Sequence, residues 1–187
     1  MHTTSLLSLA ATLFTTSAFA HGNVTSPPAR LPGPAMRQAC GAGAVSAVQS
    51  DFTGPLENIP SNGAPDCNTF LCKGQQFADN QANVQAFSAG QVVDFEVQLP
   101  IPHEGPCNVS IVDTATNTVV GDPLIEFASY ADENLAVLPA NNTQFSVQMP
   151  ADLGGKCTVE GECVMQWFWF GTNAQQTYED CVDFVMV

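Results

Sequence analysis

Two histidines carry the strongest chemical signal in this sequence. Ala18-Phe19-Ala20 is a small-x-small cleavage signature, and a cut after it would make His21 the first residue of the processed chain. A terminal histidine offers a metal ion a ring nitrogen and a free amine, whose reference pKa of about 7.7–8.0 lets it lose its proton readily. His103 is the only other histidine beyond that cut. Together they provide three nitrogen donors in a T, which suit Cu(II).

The segment NAQQTYEDC adds a phenol and an amide to this set. Gln176 and Tyr178 are two residues apart, so their side chains share one face if the segment is a strand. The phenol would occupy an axial position on the metal, and the amide would hydrogen-bond an oxygen species. Alone, each residue has an ordinary explanation, such as a hydrogen-bonded loop histidine or a half-buried packing tyrosine. Their combination predicts one copper ion bound by His21, His103 and Tyr178, with Gln176 beside it in the catalytic site.

Residues 1–20 predict a secretory signal peptide. They contain no Asp, Glu, Lys or Arg, and their apolar stretch is too short and interrupted to span a bilayer. Their start departs from the usual pattern, because His2 and the free amine are its only basic groups. Residues 21–187 are expected to form one domain that is secreted to the extracellular space. The candidate glycosylation sites agree with that route, and they are Asn23, Asn108 and Asn141.

The composition limits the possible partners. The formal net charge is −14, and the basic residues are only Arg30, Arg37, Lys73 and Lys156. Such a surface repels phosphate backbones and anionic lipids, so neither nucleic acid nor a membrane is an expected partner. A neutral polymer such as a glucan is compatible with this charge. The 187 − 20 = 167 residues left after cleavage suit one domain with a core, and we expect a monomer.

The elements that must position the site are predicted to be strands. In QVVDFEVQL, Val93, Phe95 and Val97 alternate with polar residues, which is typical of a strand with one wet face. Further strand-like segments follow, separated by turns: NVSIVD, TVVGDPLIEF, TQFSVQM, CVMQWFWF and CVDFVMV. This pattern predicts an all-β, antiparallel β-sandwich, with an up-and-down barrel as the alternative.

Two other segments bear on how the site is built. Residues 21–75 are rich in Gly, Pro and Asn, and they predict long loops with at most one short helical turn, gathered on the sandwich to form the site. The aromatic run QWFWF predicts core packing, and a sugar-stacking platform is the less favoured interpretation.

Most of the seven cysteines are expected to be bridged in a secreted chain. Spacing does not determine connectivity, so any pairing is a hypothesis. The hypothesis pairs Cys67 with Cys72, Cys157 with Cys163 and Cys40 with Cys181, and leaves Cys107 as the odd thiol. A zinc site is disfavoured because the sequence has no C-x-x-C pair.

Several motifs resemble one enzyme family. The start HG, the loop HEGP and the segment QTYEDC resemble the fungal lytic polysaccharide monooxygenases, and the last two are similar to the cellulose-active family nine. The resemblance to auxiliary-activity family sixteen of this class is closer, and it covers nearly all of the chain after residue 20. It rests on HGNVTSPPARLPGPAMRQACG, CNTFLCKG, PANNT, CVMQWFWFG and QTYEDCVDF.

This resemblance implies an immunoglobulin-like or fibronectin-III-like sandwich with one copper ion in a histidine brace. His21 would give its amine and a ring nitrogen, His103 a ring nitrogen, and Tyr178 the axial oxygen, with Gln176 next to the ion. Family nine usually has a further histidine on the strand before the Q-x-Y segment. Here that strand is CVMQWFWF, so Gln166 is the candidate for a polar role in its place.

The implied activity is oxidative cleavage of an insoluble or soluble β-glucan such as cellulose, at C1. An external electron donor, and hydrogen peroxide or dioxygen, would be the other partners. The sequence leaves the residues that contact the polymer open; Tyr130, in EFASYADEN, is a candidate that packing explains equally well.

Two other functions remain open from the sequence. A copper protein of the same fold could produce peroxide or handle copper without cleaving polysaccharide, although copper-uptake relatives typically have aspartate where Tyr178 lies. A metal-free structural or carbohydrate-binding sandwich is the second alternative. A hydrolase is disfavoured, because no two carboxylates are visibly opposed and no G-x-S-x-G element occurs.

Overall fold

The computed structural model describes residues 21–187. The predicted signal peptide therefore lies outside the described residues. The helices are α1 (Pro34–Cys40) and α2 (Ala42–Ser50). The strands are β1 (His21–Ser26), β2 (Gln85–Phe87), β3 (Val92–Ile101), β4 (Gly105–Asp113), β5 (Thr118–Val119), β6 (Ile125–Tyr130), β7 (Gln144–Gln148), β8 (Cys163–Gly171) and β9 (Gln176–Met186). Among the described residues, no helix has both the length and the apolar character needed to cross a membrane.

The strands form two sheets, so the predicted β-sandwich is confirmed and the barrel alternative is wrong. The smaller sheet has the order β1-β3-β7. The larger has the order β2-β9-β8-β4-β5, and β6 also pairs with β4. All pairings are antiparallel except that of β2 with β9, which is parallel.

The core lies between these sheets and follows the predicted alternation. In β3, Val93, Phe95 and Val97 are buried, whereas the polar residues between them are exposed. In β8, Trp167 and Trp169 are fully buried, which confirms core packing for the aromatic run. Burying side chains of this size supplies much of the free energy that holds the two sheets together.

Residues 21–75 are more regular than the sequence predicts. Residues His21–Ser26 form a strand against β3, and α1 and α2 replace the single helical turn that was expected. Pro34 suits the first turn of α1, because it needs no hydrogen-bond donor there. Such short helices are marginal alone, and here Met36 and Val48 bury them in a second small apolar cluster. The secondary structure of residues 21–75 therefore depends on tertiary packing, which local sequence patterns do not reveal.

The segment TVVGDPLIEF is also interrupted rather than continuous. It contains β5 and β6, separated by a turn in which Gly121 adopts a φ of +76°. Glycine adopts this left-handed conformation at little cost, so the turn falls at Gly121.

The disulfide hypothesis is correct in part. Cys107 is the free cysteine and Cys157–Cys163 is present, but the other bridges are Cys40–Cys67 and Cys72–Cys181. The expected Cys67–Cys72 and Cys40–Cys181 pairs are wrong. The reason is that Cys72 is held on β9, where its main-chain N–H donates to the carboxylate of Glu179, two residues from Cys181.

Buried ion pairs fasten the loop region to the same strand. The Arg30 guanidinium binds Asp183 through two hydrogen bonds of 2.8 and 2.7 Å. Lys73 Nζ lies 2.8 Å from Asp180 Oδ1, and both side chains are largely buried. Buried charges are tolerated only when they are paired and hydrogen-bonded, so these contacts define where residues 21–75 dock on the sandwich.

Candidate metal centre

The register of the smaller sheet brings the two histidines to the same end of the sandwich. His21 is the first residue of β1, and it pairs with Ile101, the last residue of β3. His103 lies two residues further along, in the connection between β3 and β4. The main-chain N–H of Val24 donates to Asp180 on β9 over 2.8 Å, so β1 also contacts the strand that carries Tyr178.

The indole of Trp169 joins the segments that carry the predicted ligands. Its Nε1–H donates to the main-chain carbonyl of His103 over 3.2 Å. Its ring stacks on Tyr178 with 4.5 Å between ring centroids and 27° between planes. A Cβ at Gly22, next to His21, would lie only 3.1 Å from the Trp169 ring. A larger residue at position 22 would therefore press against the Trp169 ring.

The His21 ring is held by a carboxylate that the sequence analysis missed. Asp51, just after α2, lies 2.9 Å from His21 Nε2 through its Oδ2. Its Oδ1 accepts hydrogen bonds from the N–H and hydroxyl of Thr53, and the Thr53 carbonyl accepts from the N–H of Gly22. A Cβ at Gly54 would approach Asp51 Oδ2 to 2.6 Å, so only glycine leaves room for the carboxylate there.

This arrangement assigns different roles to the two ring nitrogens of His21. A carboxylate on one imidazole nitrogen sets the tautomer and the ring orientation, and it makes the other nitrogen a better metal ligand. Because Asp51 engages Nε2, a metal ion at this residue would bind Nδ1, which is also the nitrogen close enough to the main chain to chelate together with a terminal amine. No sequence signal could have found Asp51, since the two residues are 30 positions apart.

His103 is buried, with 6% of its surface exposed. Its Nδ1 has no hydrogen-bond partner among the described residues, so one nitrogen of this buried ring makes no contact that would satisfy it. The loop around it is fixed, because Glu104 N–H donates to Glu133 over 2.6 Å and the Glu104 carbonyl accepts from Thr172 N–H over 2.9 Å. The burial and the unpartnered Nδ1 of His103 distinguish it from an exposed or hydrogen-bonded loop histidine. This donor set fits a metal ion that prefers nitrogen.

Tyr178 and Gln176 share a face of β9, as their spacing predicts. The Tyr178 hydroxyl donates to Gln176 Oε1 over 2.7 Å. Burial, reinforced by the nearby carboxylates of Glu57 and Asp51, raises the pKa of Tyr178 well above its usual value. Without a metal ion, the phenol therefore carries its proton at neutral pH.

Gln166 does not belong to this site. Strand alternation places it on the face of β8 opposite Trp167 and Trp169, on the side of the Glu179 carboxyl. The polar role suggested for it beside the metal is therefore wrong. Tyr130 cannot contact a polymer at the surface, because it is fully buried and its ring lies edge-on to Trp169.

Another group of potential ligands lies deeper in the described part of the chain. One oxygen of Glu179 and the sulfurs of Cys72 and Cys181 lie within 4.8 Å of one another. Both sulfurs are consumed by a disulfide, so no thiolate is available to a metal there. The histidine site is the better metal centre on chemical grounds.

Comparisons with known proteins place the chain in a family. The family model described as lytic polysaccharide mono-oxygenase, cellulose-degrading, matches residues 21–184. A search of the curated proteins found no match.

Several solved structures match the chain at low sequence identity. A lytic polysaccharide monooxygenase from Jonesia denitrificans is 17% identical, with 89% of this chain and 100% of that chain covered and a TM-score of 0.44. An enzyme of family AA15 from Thermobia domestica, in the Cu(I) state, is 17% identical, with 89% and 98% covered and a TM-score of 0.46. A chitin-binding domain from Burkholderia pseudomallei is 15% identical, with 90% and 100% covered and a TM-score of 0.48. The family match confirms the enzyme class that the motifs indicate: the chain belongs to the lytic polysaccharide mono-oxygenase family.

Proposed function

We propose that this protein is a secreted, monomeric, copper-dependent monooxygenase that cleaves cellulose or a related β-glucan oxidatively at C1. Its copper ligands are the amine and Nδ1 of His21, a ring nitrogen of His103, and the phenol of Tyr178. The observation that carries the proposal is the convergence of these segments on Trp169, together with the Asp51 carboxylate on His21 Nε2. The finer assignment to auxiliary-activity family sixteen rests on the sequence motifs alone.

Processing is part of the proposed mechanism. In the unprocessed chain the main-chain nitrogen of His21 belongs to a peptide bond, and a peptide nitrogen is a far poorer ligand than an amine. Cleavage after Ala20 during secretion would release that amine at the first position of β1. Residues 21–187 then form the enzyme domain, and of the candidate glycosylation sites Asn141 is exposed, whereas Asn23 and Asn108 lie half-buried on strands.

Copper, when bound, supplies the one-electron redox chemistry, with an external electron donor and hydrogen peroxide or dioxygen as the other reactants. With dioxygen, the balance requires two electrons and two protons: one oxygen atom enters the C–H bond and the other leaves as water. The hydroxylated carbon next to the glycosidic bond then expels the neighbouring sugar, which yields a lactone and, after hydrolysis, an aldonic acid.

The chain's own residues contribute orientation and proton control. Asp51 holds the tautomer of His21, and the hydrogen-bonded loop around His103 positions the second imidazole. The Tyr178 hydroxyl donates to Gln176 Oε1, which orients the amide beside the phenol.

The test compares the secreted protein with a variant that retains one extra residue before His21. Mass spectrometry first verifies each amino terminus. Copper-loaded samples are then examined by electron paramagnetic resonance, and they are incubated with cellulose and ascorbate. We expect an axial, nitrogen-rich spectrum and aldonic acids for the processed protein, and loss of both for the extended variant. Identical spectra would refute the amine ligand, and peroxide without aldonic acids would favour the copper protein that does not cleave polysaccharide.

A further inference from the structure

A second cleft lies at the end of the sandwich opposite the metal centre. Its volume is about 830 Å³, which is in the range of small-molecule sites of about 300–1,000 Å³. The turn after β4 forms one wall, and β4 begins at Gly105, close to His103. At about 3.4 Å per residue, the length of β4 separates this cleft from the metal centre by roughly 30 Å. We call it the distal cleft.

Most of the polar residues that line the distal cleft are uncharged, and the lining includes one aromatic ring. Its polar lining includes the side-chain amides of Gln38, Asn68, Gln75 and Asn117. Thr116, in the β4–β5 turn, adds a hydroxyl. Phe77 is half-buried in the wall, where its ring packs on Gly161 and lies 6.0 Å from the Arg30 guanidinium. A Cβ at Gly161 would clash with the ring at 2.6 Å, so glycine is needed to seat it.

The floor of the distal cleft contains an amide that the protein leaves incompletely used. Gln75 is 3% exposed, and its Oε1 has no hydrogen-bond partner among the described residues. Its main chain is fully occupied, because its N–H donates to Cys72 and its carbonyl accepts from Arg30. Leaving a buried acceptor unpaired is costly, so a donor on a ligand would complete the hydrogen bonding of this side chain. Rotation about its last bond would turn either end of the amide to a ligand.

The charges around the distal cleft exclude ionic ligands. Among the lining residues, Arg30 and Asp66 carry charge, and Arg30 is neutralised by its two hydrogen bonds to Asp183. An anion would meet the exposed Asp66 in a chain of net charge −14, and one carboxylate is too few for a cation site. A ligand rich in hydroxyls, with apolar faces between them, matches amides and hydroxyls arranged beside one ring.

The walls of the distal cleft are also held in place before any ligand arrives. Cys40–Cys67 and Cys72–Cys181 tie down the segments on either side of Asn68. Asn117 Nδ2 donates to the carbonyl of Phe70 over 3.4 Å, which links the β4–β5 turn to that loop. A preformed polar cleft avoids the entropy cost of ordering loops on binding.

From these features we propose that the distal cleft is a binding site for a neutral oligosaccharide or a single glycan chain, separate from the metal centre. Binding there does not depend on copper or on the proposed oxidation. A chain held in this cleft would keep the protein near its polymer while the other end of the sandwich reacts.

The test uses the full secreted protein without copper, labelled with ¹⁵N and titrated with cellohexaose, xylohexaose or mannohexaose. We expect at least one of these sugars to shift the amide signals of Gln75, Thr116 and Asn117 with saturating behaviour. Hexagalacturonate, which is anionic, is expected to leave them unchanged. If none of the neutral hexasaccharides perturbs these signals at 10 mM, or if their shifts are confined to residues near His103, the proposal is overturned.

Variants separate binding from folding. Gln75→Met should lower the affinity for the sugar about three- to tenfold. It should leave the melting temperature of the protein unchanged or higher, because it removes an unpaired acceptor. Gln98→Met, at an exposed position on β3, is the matched control and should bind as the wild type does. His103→Ala should retain binding, which distinguishes this site from the metal centre. Should Gln75→Met fail to fold, Asn117→Ala, a change at an exposed lining residue, takes its place as the test. Unchanged sugar affinity in that variant would reject the site.

Discussion

The carboxylate of Asp51 lies 2.9 Å from Nε2 of His21. This contact connects the residue just after α2 to the first residue of β1, and the Thr53 carbonyl closes a second link to Gly22. The metal centre is thus not built by the sandwich alone. The loop region that precedes the main sheet supplies the group that would orient one of its proposed ligands.

We expect Asp51→Asn to lower copper affinity about 10- to 100-fold, the usual effect of losing a group that orients a metal-bound histidine. The amide is nearly isosteric, but it can donate to Nε2 as well as accept from it, so the ring tautomer is no longer determined. Competition with a calibrated chelator measures the dissociation constant. Asp122→Asn, an exposed change in the turn between β5 and β6, is the control, and equal affinity of all three proteins would rule out this role for Asp51.

Tyr178→Phe should alter the electronic spectrum of the bound copper while preserving its nitrogen coupling. The ring that stacks on Trp169 remains, but the hydroxyl that donates to Gln176 is lost. Removing one buried hydrogen bond should also cost about 1 kcal/mol of unfolding free energy. Electron paramagnetic resonance and urea denaturation measure the two effects.

Tyr130→Phe is the matched control for that change. Its hydroxyl donates to the Asn142 carbonyl over 2.5 Å, so a similar loss of stability is expected. Its spectrum should equal that of the wild type, because Tyr130 belongs to the core behind Trp169. A spectrum altered equally in both variants would mean that Tyr178 acts only through packing.

Cys107 should resist alkylation in the folded protein. Burial raises the pKa of its thiol well above the ordinary value, so the reactive thiolate is disfavoured. The unfolded chain releases this proton at a lower pH than the folded chain does. The contribution of Cys107 to stability is therefore present below the pKa of a free thiol, about 8.5, and it is lost as the pH rises above that value.

Iodoacetamide at pH 8.5, followed by mass measurement, checks this expectation. No label should be added to the native protein, and one should be added after unfolding in guanidinium without a reductant. Cys107→Ala should take up none under either condition. Rapid labelling of the native protein would show that this part of the core opens.

Removing the long-range disulfide should cost more stability than removing the local one. Cys72–Cys181 spans 109 residues and Cys157–Cys163 spans 6. The chain-entropy model gives about 5 and about 2 kcal/mol for loops of these lengths. Urea denaturation of the paired alanine variants measures both values, and the reverse order would show that entropy of the unfolded chain does not control this fold.

The parts of the protein that the sequence predicts are those with local patterns. Val93, Phe95 and Val97 reveal a strand through their period of two, and the same period places Gln176 and Tyr178 on one face. His103 falls in a connection between strands, as the flanking patterns indicate.

The remainder depends on contacts between distant segments. The Asp51–His21 contact spans 30 residues, and Cys72 pairs across 109 with Cys181 because Glu179 holds its main chain on β9. Helices α1 and α2 are short and rich in small residues, so packing on the sandwich rather than intrinsic preference determines them. Such contacts leave no periodic trace in the sequence.

The position of Trp169 has a consequence for protein engineering. One rigid ring bonds the main chain at residue 103, stacks on the phenol at 178 and leaves little room for a Cβ at residue 22, so it acts as a spacer among three segments. Transplanting only the metal-binding side chains to another sandwich would therefore lose their mutual spacing. A successful graft must carry this indole, and the glycine that admits it, along with the ligands.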